Sequence, residues 1–171
     1  MARQVNGKIQ IAYGHHRLKA LQEIYTPDYQ IEVPVKDLSD ELMLKIMANE
    51  NMEEWQSSVA VIDETVRATR KFLLPGTKIT GATAKEVSVF LGWPEQRVSA
   101  SFNRINAIES KQVDKQAVES LPTAKGATAF TSATKGKNLT VAAQRRVAKR
   151  IVESENYSPK DVKLEVQQYQ L

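Results

Sequence analysis

The sequence predicts an α+β fold in which a small strand-helix subdomain is followed by an all-helical subdomain. Apolar residues alternate with polar ones in two short stretches before residue 36, as expected for strands. From Ser57 onward they recur every three to four residues, which is typical of helices packed on a core. We expect boundaries at 1–55 for the first subdomain, 56–121 for the second, and 122–171 for a basic linker with C-terminal helices.

The composition indicates an ordered domain outside the membrane. Of the 171 residues, 42% are hydrophobic, which is enough for a core and argues against global disorder. The absence of cysteine excludes disulfides, thiolate zinc sites, iron–sulfur ligation and a cysteine nucleophile. The N-terminus lacks a signal-peptide pattern, and no apolar run reaches the ~18 residues of a membrane span. We therefore expect a cytoplasmic protein.

The first 50 residues predict the order strand, helix, strand, helix. Residues 8–13 alternate up to Gly14, and apolar residues at helical spacing then predict a helix over about 15–25. Residues 31–35 alternate again, and the proline within them places this second strand at an edge or a strand end. A helix capped by Ser39 follows, with an apolar face made of Leu42, Ile46 and Met47.

The remainder predicts helices separated by caps and breakers. Ser57 begins a long helix that ends at the pair Pro75-Gly76. Further helices are expected near 113–120, from Thr140 to about 155, and from Ser158 to about 169. Residues 122–138 are rich in Thr, Ala, Lys and Gly, so we expect a flexible basic connection there.

The charge is distributed asymmetrically along the chain. Residues 1–80 carry 10 basic and 11 acidic side chains, whereas residues 81–171 carry 14 and 9. Residues 111–150 alone hold nine basic side chains against Asp114 and Glu119, a local charge of +7. Such a segment attracts a polyanion by releasing its counterions. The alternative is a lysine-rich solvated surface.

Residues 83–105 have the pattern helix, glycine turn, helix. Thr83 and Glu86 form a capping box at the start of the first helix, and Gly92 supplies the turn. Apolar residues point inward from both helices, namely Val87, Leu91, Val98, Phe102 and Ile105. This layout predicts a helix-turn-helix, whose second helix enters the major groove of DNA. The alternative is an ordinary helical hairpin inside a bundle.

The candidate DNA-binding side chains lie on these two helices. Arginine, glutamine and asparagine pair with base edges, while serine and lysine bond phosphates. The candidates are Lys85 on the first helix and, on the second, Gln96, Arg97, Ser99, Ser101, Asn103 and Arg104. Base readout is expected from Gln96, Arg97, Asn103 and Arg104, all assigned to the outward face of the second helix.

A second candidate site lies where the first strand meets the first helix, at Gly14, His15, His16 and Arg17. Backbone N–H groups at a helix start bind anions, and the arginine adds bidentate contacts to phosphate. Downstream, Glu50 and Asn51 offer the hard oxygen ligands that Mg²⁺ accepts beside phosphates. The alternatives are a structural turn with surface histidines, and a polar helix end.

Taken in order, these motifs resemble the ParB family of chromosome and plasmid partition proteins, whose N-terminal fold also occurs in sulfiredoxin. The family's Gly-x-x-Arg motif matches Gly14 through Arg17, and its Glu-Asn motif matches Glu50 and Asn51. The helix-turn-helix follows at the expected distance, so the resemblance covers about residues 5–110. Because the chain begins at the strand before Gly14, we expect a shortened relative or a truncated start.

The resemblance implies a DNA-binding protein that recognises a specific double-stranded site in plasmid, phage or chromosome partition or in related regulation. It implies CTP and Mg²⁺ as cofactors, with Gly14, His15, His16 and Arg17 binding the nucleotide and Glu50 with Asn51 binding the metal. It also implies a partition ATPase as partner, a homodimer, and association with the nucleoid or a plasmid. The alternatives are a CTP-hydrolysing DNA clamp and a non-catalytic protein-interaction module.

Three positions depart from the family pattern. His15 and His16 replace an acid and an arginine, and Glu54 replaces an arginine three residues after the Glu-Asn motif. A carboxylate beside a triphosphate opposes its binding, so nucleotide hydrolysis is not the leading expectation. In sulfiredoxin the catalytic cysteine occupies the position that His15 has in this sequence. Because the chain contains no cysteine, the chemistry of sulfiredoxin is excluded. DNA binding does not depend on these positions.

Overall fold

A computed structural model of the protein describes residues 1–26, 29–50, 57–73 and 81–169, without the side chains of His15 and His16. In this part of the chain, two strands form an antiparallel hairpin, β1 (Ala2–Val5) and β2 (Lys8–Ile11). The described helices follow in order: α1 (His15–Ile24), α2 (Asp40–Glu50), α3 (Val59–Leu73), α4 (Ala84–Leu91), α5 (Glu95–Glu109), α6 (Lys115–Glu119), α7 (Ala124–Thr134), α8 (Val141–Ser154) and α9 (Pro159–Gln168). A small sheet followed by helices confirms the α+β class.

The hairpin is closed by a two-residue turn. Asn6 and Gly7 have φ values of 50° and 74°, as a type I′ turn requires. The strand predicted over residues 8–13 is confirmed as Lys8–Ile11, whereas β1 was not predicted. The Asn-Gly pair is the signal that would have found it.

The second predicted strand, at residues 31–35, is wrong. Within the described residues 29–50, only Val35 forms a bridge, parallel to Ala2, and the Ala2 N–H donates to the Pro34 carbonyl at 2.9 Å. Proline has no N–H with which to continue the ladder. The side chain of Val35 is half exposed, so alternation here does not produce a buried face.

The start of α2 is confirmed, but its inward face is not the predicted one. The Ser39 hydroxyl accepts a hydrogen bond from the Leu42 N–H at 3.2 Å and so caps the helix. Leu42 itself is nearly half exposed, and the buried residues of α2 are Met43 and Ala48. Ile46 packs only partly against the small N-terminal cluster. The apolar stripe is therefore rotated relative to the one that we predicted.

The predicted connection at residues 122–138 is also wrong, because α7 occupies most of it. Thr123 caps this helix by accepting a hydrogen bond from the Gly126 N–H at 3.1 Å. Phe130 is completely buried. A Cβ at Gly126 would lie 3.3 Å from the Tyr157 carbonyl, so glycine allows close packing there. The small residues that suggested flexibility instead let helices approach closely.

The remaining predicted helices are confirmed. The one near 113–120 is α6, and those predicted from the caps Thr140 and Ser158 are α8 and α9. The long helix after Ser57 is α3, whose predicted end at Pro75-Gly76 lies outside the described residues.

In the described ranges, buried apolar residues form two large clusters and one small cluster. One large cluster joins α3 and α5 to α6 through α9 and includes Val59, Ala107, Val118, Phe130, Val147 and Val162. The other joins α2 through α5 and includes Ala48, Ile62, Val66, Val87, Trp93, Val98 and Ile105. Ala12, Leu38 and Met43 form the small one near the hairpin. Among the described residues, no helix has the length and apolar content to cross a bilayer.

Candidate nucleic-acid interface

Helices α4 and α5 and their turn have the geometry that the sequence predicts. The Thr83 N–H donates to Glu86 Oε2 at 2.7 Å, and the Glu86 N–H donates to Thr83 Oγ1 at 3.2 Å. The hydrogen bonds from Thr83 lower the pKa of Glu86 below its ordinary value. Gly92 ends α4 with a φ of 68°, a left-handed conformation that glycine adopts without steric cost.

The turn is fixed to α2 by Trp93. Its indole is 2% exposed, and Nε1 donates to the Ala48 carbonyl at 3.3 Å in the last turn of α2. The Ser88 hydroxyl donates to the Trp93 carbonyl at 2.7 Å from the other side of the turn. The guanidinium carbon of Arg97 lies 4.2 Å from the centre of the Trp93 ring. Trp93 is therefore a core residue that also supports Arg97 by a cation–π contact.

The structure separates the predicted DNA-binding residues into two groups. Lys85, Gln96 and Asn103 are exposed, and Arg97 and Ser99 are partly exposed. Ser101 and Arg104 are buried, so their prediction as outward-facing contacts is wrong. Ser101 stands three residues after Val98 and four before Ile105, which places it on the inward face of α5.

A buried ion pair explains the position of Arg104. Its Nε donates to Asp63 Oδ2 at 3.0 Å, and its Nη2 donates to Asp63 Oδ1. The Ser101 hydroxyl donates to the same carboxylate at 2.6 Å, and Arg104 Nη1 donates to Thr128 Oγ1 at 2.6 Å. This network joins α3, α5 and α7. We missed Asp63, although it lies beside Ile62 in the buried stripe of α3.

The basic segment 111–150 presents all nine of its cations at the surface. Four of them have acidic partners, in the pairs Lys115–Glu119, Arg145–Asp114, Lys149–Glu153 and Arg150–Glu165. The others are Lys111, Lys125, Lys135, Lys137 and Arg146, which pair with no acid in the part of the chain that the structure describes. The part of the positive charge left for an external anion is thus smaller than the count of residues suggests.

The Asp114–Arg145 pair connects the start of α6 to α8. Arg145 Nε and Nη2 donate to the two carboxylate oxygens at 2.9 and 3.1 Å. Asp114 Oδ1 also accepts from the Ala117 N–H at 3.0 Å, which caps α6. The hydrogen bond from Arg145 is the main reason that the pKa of Asp114 is lowered, and it raises the pKa of Arg145.

The Gly14 corner meets Glu50, the first residue of the Glu-Asn motif, in the folded chain. Gly14 has a φ of 98°, and its N–H donates to Glu50 Oε1 at 2.8 Å across 36 residues. Arg17 is exposed, with its guanidinium carbon 5.9 Å from the centre of the Tyr13 ring. The side chains of His15 and His16, and all of Asn51, lie outside the described residues.

Glu50 takes the place that an anion would occupy at the start of α1. Its carboxylate accepts the Gly14 N–H, a donor that a bound phosphate would otherwise use. Among the residues that the structure describes, no three His, Asp or Glu side chains are grouped as metal ligands. The corner therefore places two predicted motifs together, but with a carboxylate where the nucleotide phosphates are expected.

Comparison with known proteins does not assign the chain to a family. Neither a family model nor a curated protein matches the chain. The resemblance to ParB proteins thus depends on the ordered motifs alone and stays a prediction.

We expect Arg104→Ala to lower the free energy of unfolding by about 3–5 kcal/mol, because it leaves the Asp63 carboxylate buried and unpaired. Urea unfolding followed by circular dichroism measures the loss. Asn103→Ala, at the exposed neighbouring position, is the control and should stay within about 0.5 kcal/mol. A stable Arg104→Ala protein that loses only DNA affinity would contradict the structural role.

The Asp114–Arg145 pair predicts a pH-dependent stability. Because the pKa of Asp114 is lowered in the folded protein, the pair stabilises above the ordinary carboxyl pKa of about 4. That contribution is lost as the pH falls through the lowered value. Arg145→Ala should therefore be less stable than the wild type near neutral pH, and the difference should vanish in acid. Urea titrations across this range test it, with Arg146→Ala as control; a pH-independent difference would contradict the assignment.

Proposed function

We propose that the protein binds double-stranded DNA at a specific site, in the manner of ParB-type partition proteins. The observation on which the proposal depends is the placement of Arg97 at the start of α5. There the cation–π contact with Trp93 holds a guanidinium beside the exposed Gln96. The first residues of a recognition helix are those that read base edges in the major groove.

The support for Arg97 as the reading residue is its preorganisation. Its partner Trp93 is itself fixed by the core and by the hydrogen bond to Ala48. A guanidinium with a restricted position loses less freedom when it forms a bidentate contact to guanine. We therefore assign base readout to Gln96, Arg97 and Asn103. Arg104 is removed from the predicted base-reading residues, and Ser101 from the predicted DNA contacts, because the Asp63 network occupies both side chains.

Phosphate contacts are assigned to the exposed cations outside α5. Lys85 lies in the first turn of α4, the helix that crosses the DNA backbone in such motifs. The unpaired cations of segment 111–150 add a non-specific, salt-dependent attraction. A partition ATPase as partner, a homodimer and association with a plasmid or the nucleoid belong to the same proposal.

A second candidate function is nucleotide binding at the Gly14 corner, and the observation in its favour is that Gly14 and Glu50 lie next to each other. These residues belong to the two motifs that the resemblance to ParB proteins assigns to CTP and Mg²⁺. The residues that would hold the nucleotide are Gly14 through Arg17, and those that would hold the metal are Glu50 and Asn51. Because Glu50 already uses the Gly14 N–H, DNA binding remains the first proposal. If no nucleotide binds, the corner is a structural turn.

We expect Arg97→Ala to weaken binding to a duplex selected from a random library by about 1–3 kcal/mol, and to affect a random duplex less. Fluorescence anisotropy on both duplexes measures this. Arg146→Ala is the control, since loss of a phosphate contact weakens both duplexes alike and lowers the salt slope by about one. Equal losses for Arg97→Ala would assign it to phosphate, and no binding at low salt would overturn the proposed function.

For the second candidate, CTP with Mg²⁺ should raise the unfolding temperature of the wild type, because a ligand that binds the native state stabilises it. Arg17→Ala should abolish this rise and leave DNA affinity unchanged. Lys19→Ala, an exposed cation on the same helix, should retain the rise. Absence of any shift in the wild type would remove nucleotide binding and would not affect the DNA proposal.

A further inference from the structure

A groove of about 710 Å³ lies between α5, α7 and α9. On α5 it is lined by Gln96, Arg97 and Ala100, and α7 contributes a continuous helical face that includes Lys125 and Ser132. Sites for small organic ligands typically have ~300–1,000 Å³, so the groove has a suitable size. The proposed contacts with DNA give a role to Gln96 and Arg97 on the α5 side of the groove. They give no role to the cavity between α5, α7 and α9.

The interior of the groove is largely apolar. Its lining includes the hydrocarbon side chains and rings of Ile62, Pro94, Ala100, Ala129 and Pro159. DNA phosphates need cations and hydrogen-bond donors, and they gain nothing from such a surface. An apolar body of a ligand does gain from it, because contact with these groups removes apolar area from water.

The charged side chains that line the groove in the described part of the chain are all basic. They include Arg97, Lys125 and Lys163, and none of the described lining residues is acidic. Lys125 and Lys163 have no acidic partner within the described ranges. Arg104 also reaches the groove, but Asp63 balances its charge. The positive charges of Lys125 and Lys163 therefore favour an anion at this end of the groove.

We propose that this groove binds a small organic anion, a carboxylate, sulfonate or phosphate carried on an apolar body. The apolar part lies between α5 and α7, and the anionic group meets Lys125 and Lys163. The exposed hydroxyl group of Ser132 lies on the same face of α7 and can make a polar contact.

Occupation of the groove covers part of the surface assigned to DNA. Gln96 and Arg97 belong both to the lining and to the set assigned to base readout. A ligand in the groove and a duplex on α5 therefore compete for these two side chains, and also for Lys125, one of the cations assigned to the attraction of DNA. This competition rests on the proposed function, whereas binding of the anion does not.

The test uses two fluorescent probes with similar aromatic bodies and the full chain. 8-Anilinonaphthalene-1-sulfonate carries a sulfonate, and N-phenyl-1-naphthylamine is its neutral counterpart. We expect saturable binding of the sulfonate at one site and at least about fivefold weaker binding of the neutral probe. Failure of the sulfonate probe to saturate, or equal binding of both probes, would overturn the proposal.

Three variants locate the site. Lys163→Glu should weaken the sulfonate probe about fivefold and leave the neutral probe unchanged. Lys137→Glu makes the same charge change at an exposed lysine outside the lining and should alter neither. Ser132→Trp, at an exposed position on α7, should fill the groove and abolish binding of both, with circular dichroism confirming the fold. Equal effects of Lys137→Glu and Lys163→Glu would overturn the assignment.

Two further measurements distinguish other occupants. Loss of probe binding at high protein concentration, together with a dimer in ultracentrifugation, would show that a second copy covers the groove and would overturn the ligand proposal. A duplex that displaces the sulfonate probe supports the overlap with DNA, and undisturbed probe in saturating duplex overturns that overlap. If no duplex binds, the proposed function fails while the probe measurements on the variants still decide the groove.

Discussion

The buried ion pair between Asp63 and Arg104 is the contact on which the arrangement of the helical region depends. α3 and α5 each contribute to both large apolar clusters, so their relative position sets the shape of the core. A carboxylate and a guanidinium tolerate removal from water only when their hydrogen bonds are satisfied. Ser101 and Thr128 complete this requirement and bring in α7. A shift of α5 by one turn would separate the charges, so the pair selects one register for three helices.

This constraint also decides which face of α5 is left for other molecules. Because Ser101 and Arg104 turn inward, the predicted contact residues of α5 that remain at least partly exposed are Gln96, Arg97, Ser99 and Asn103. The same rotation places Ala100 toward α7, where a small side chain leaves the groove open. The exposed face of α5 and the groove therefore both result from the same packing of α5 on its neighbours.

Helix limits could be predicted from the sequence because capping is local. Thr83 and Thr140 mark helix starts within three residues of their hydrogen-bond partners. Partners of buried polar groups could not be predicted, since Asp63 and Arg104 are 41 residues apart and polarity alone suggested an exposed arginine. Helix α7 could not be predicted either, because its burial also depends on a distant part of the chain. Its Ala, Gly and Thr residues become part of a core only when another helix packs closely on them.

The last turn of α2 holds two contacts from distant parts of the chain. The Ala48 carbonyl accepts from Trp93 in the turn before α5, and the Glu50 carboxylate accepts from Gly14 at the start of α1. Two residues of helix advance about 3 Å, so both contacts are anchored on the same rigid piece. Movement of that helix end relative to either neighbour must stretch or break at least one of these bonds. The corner at Gly14 and the turn before α5 are therefore mechanically linked through residues 48–50 of α2.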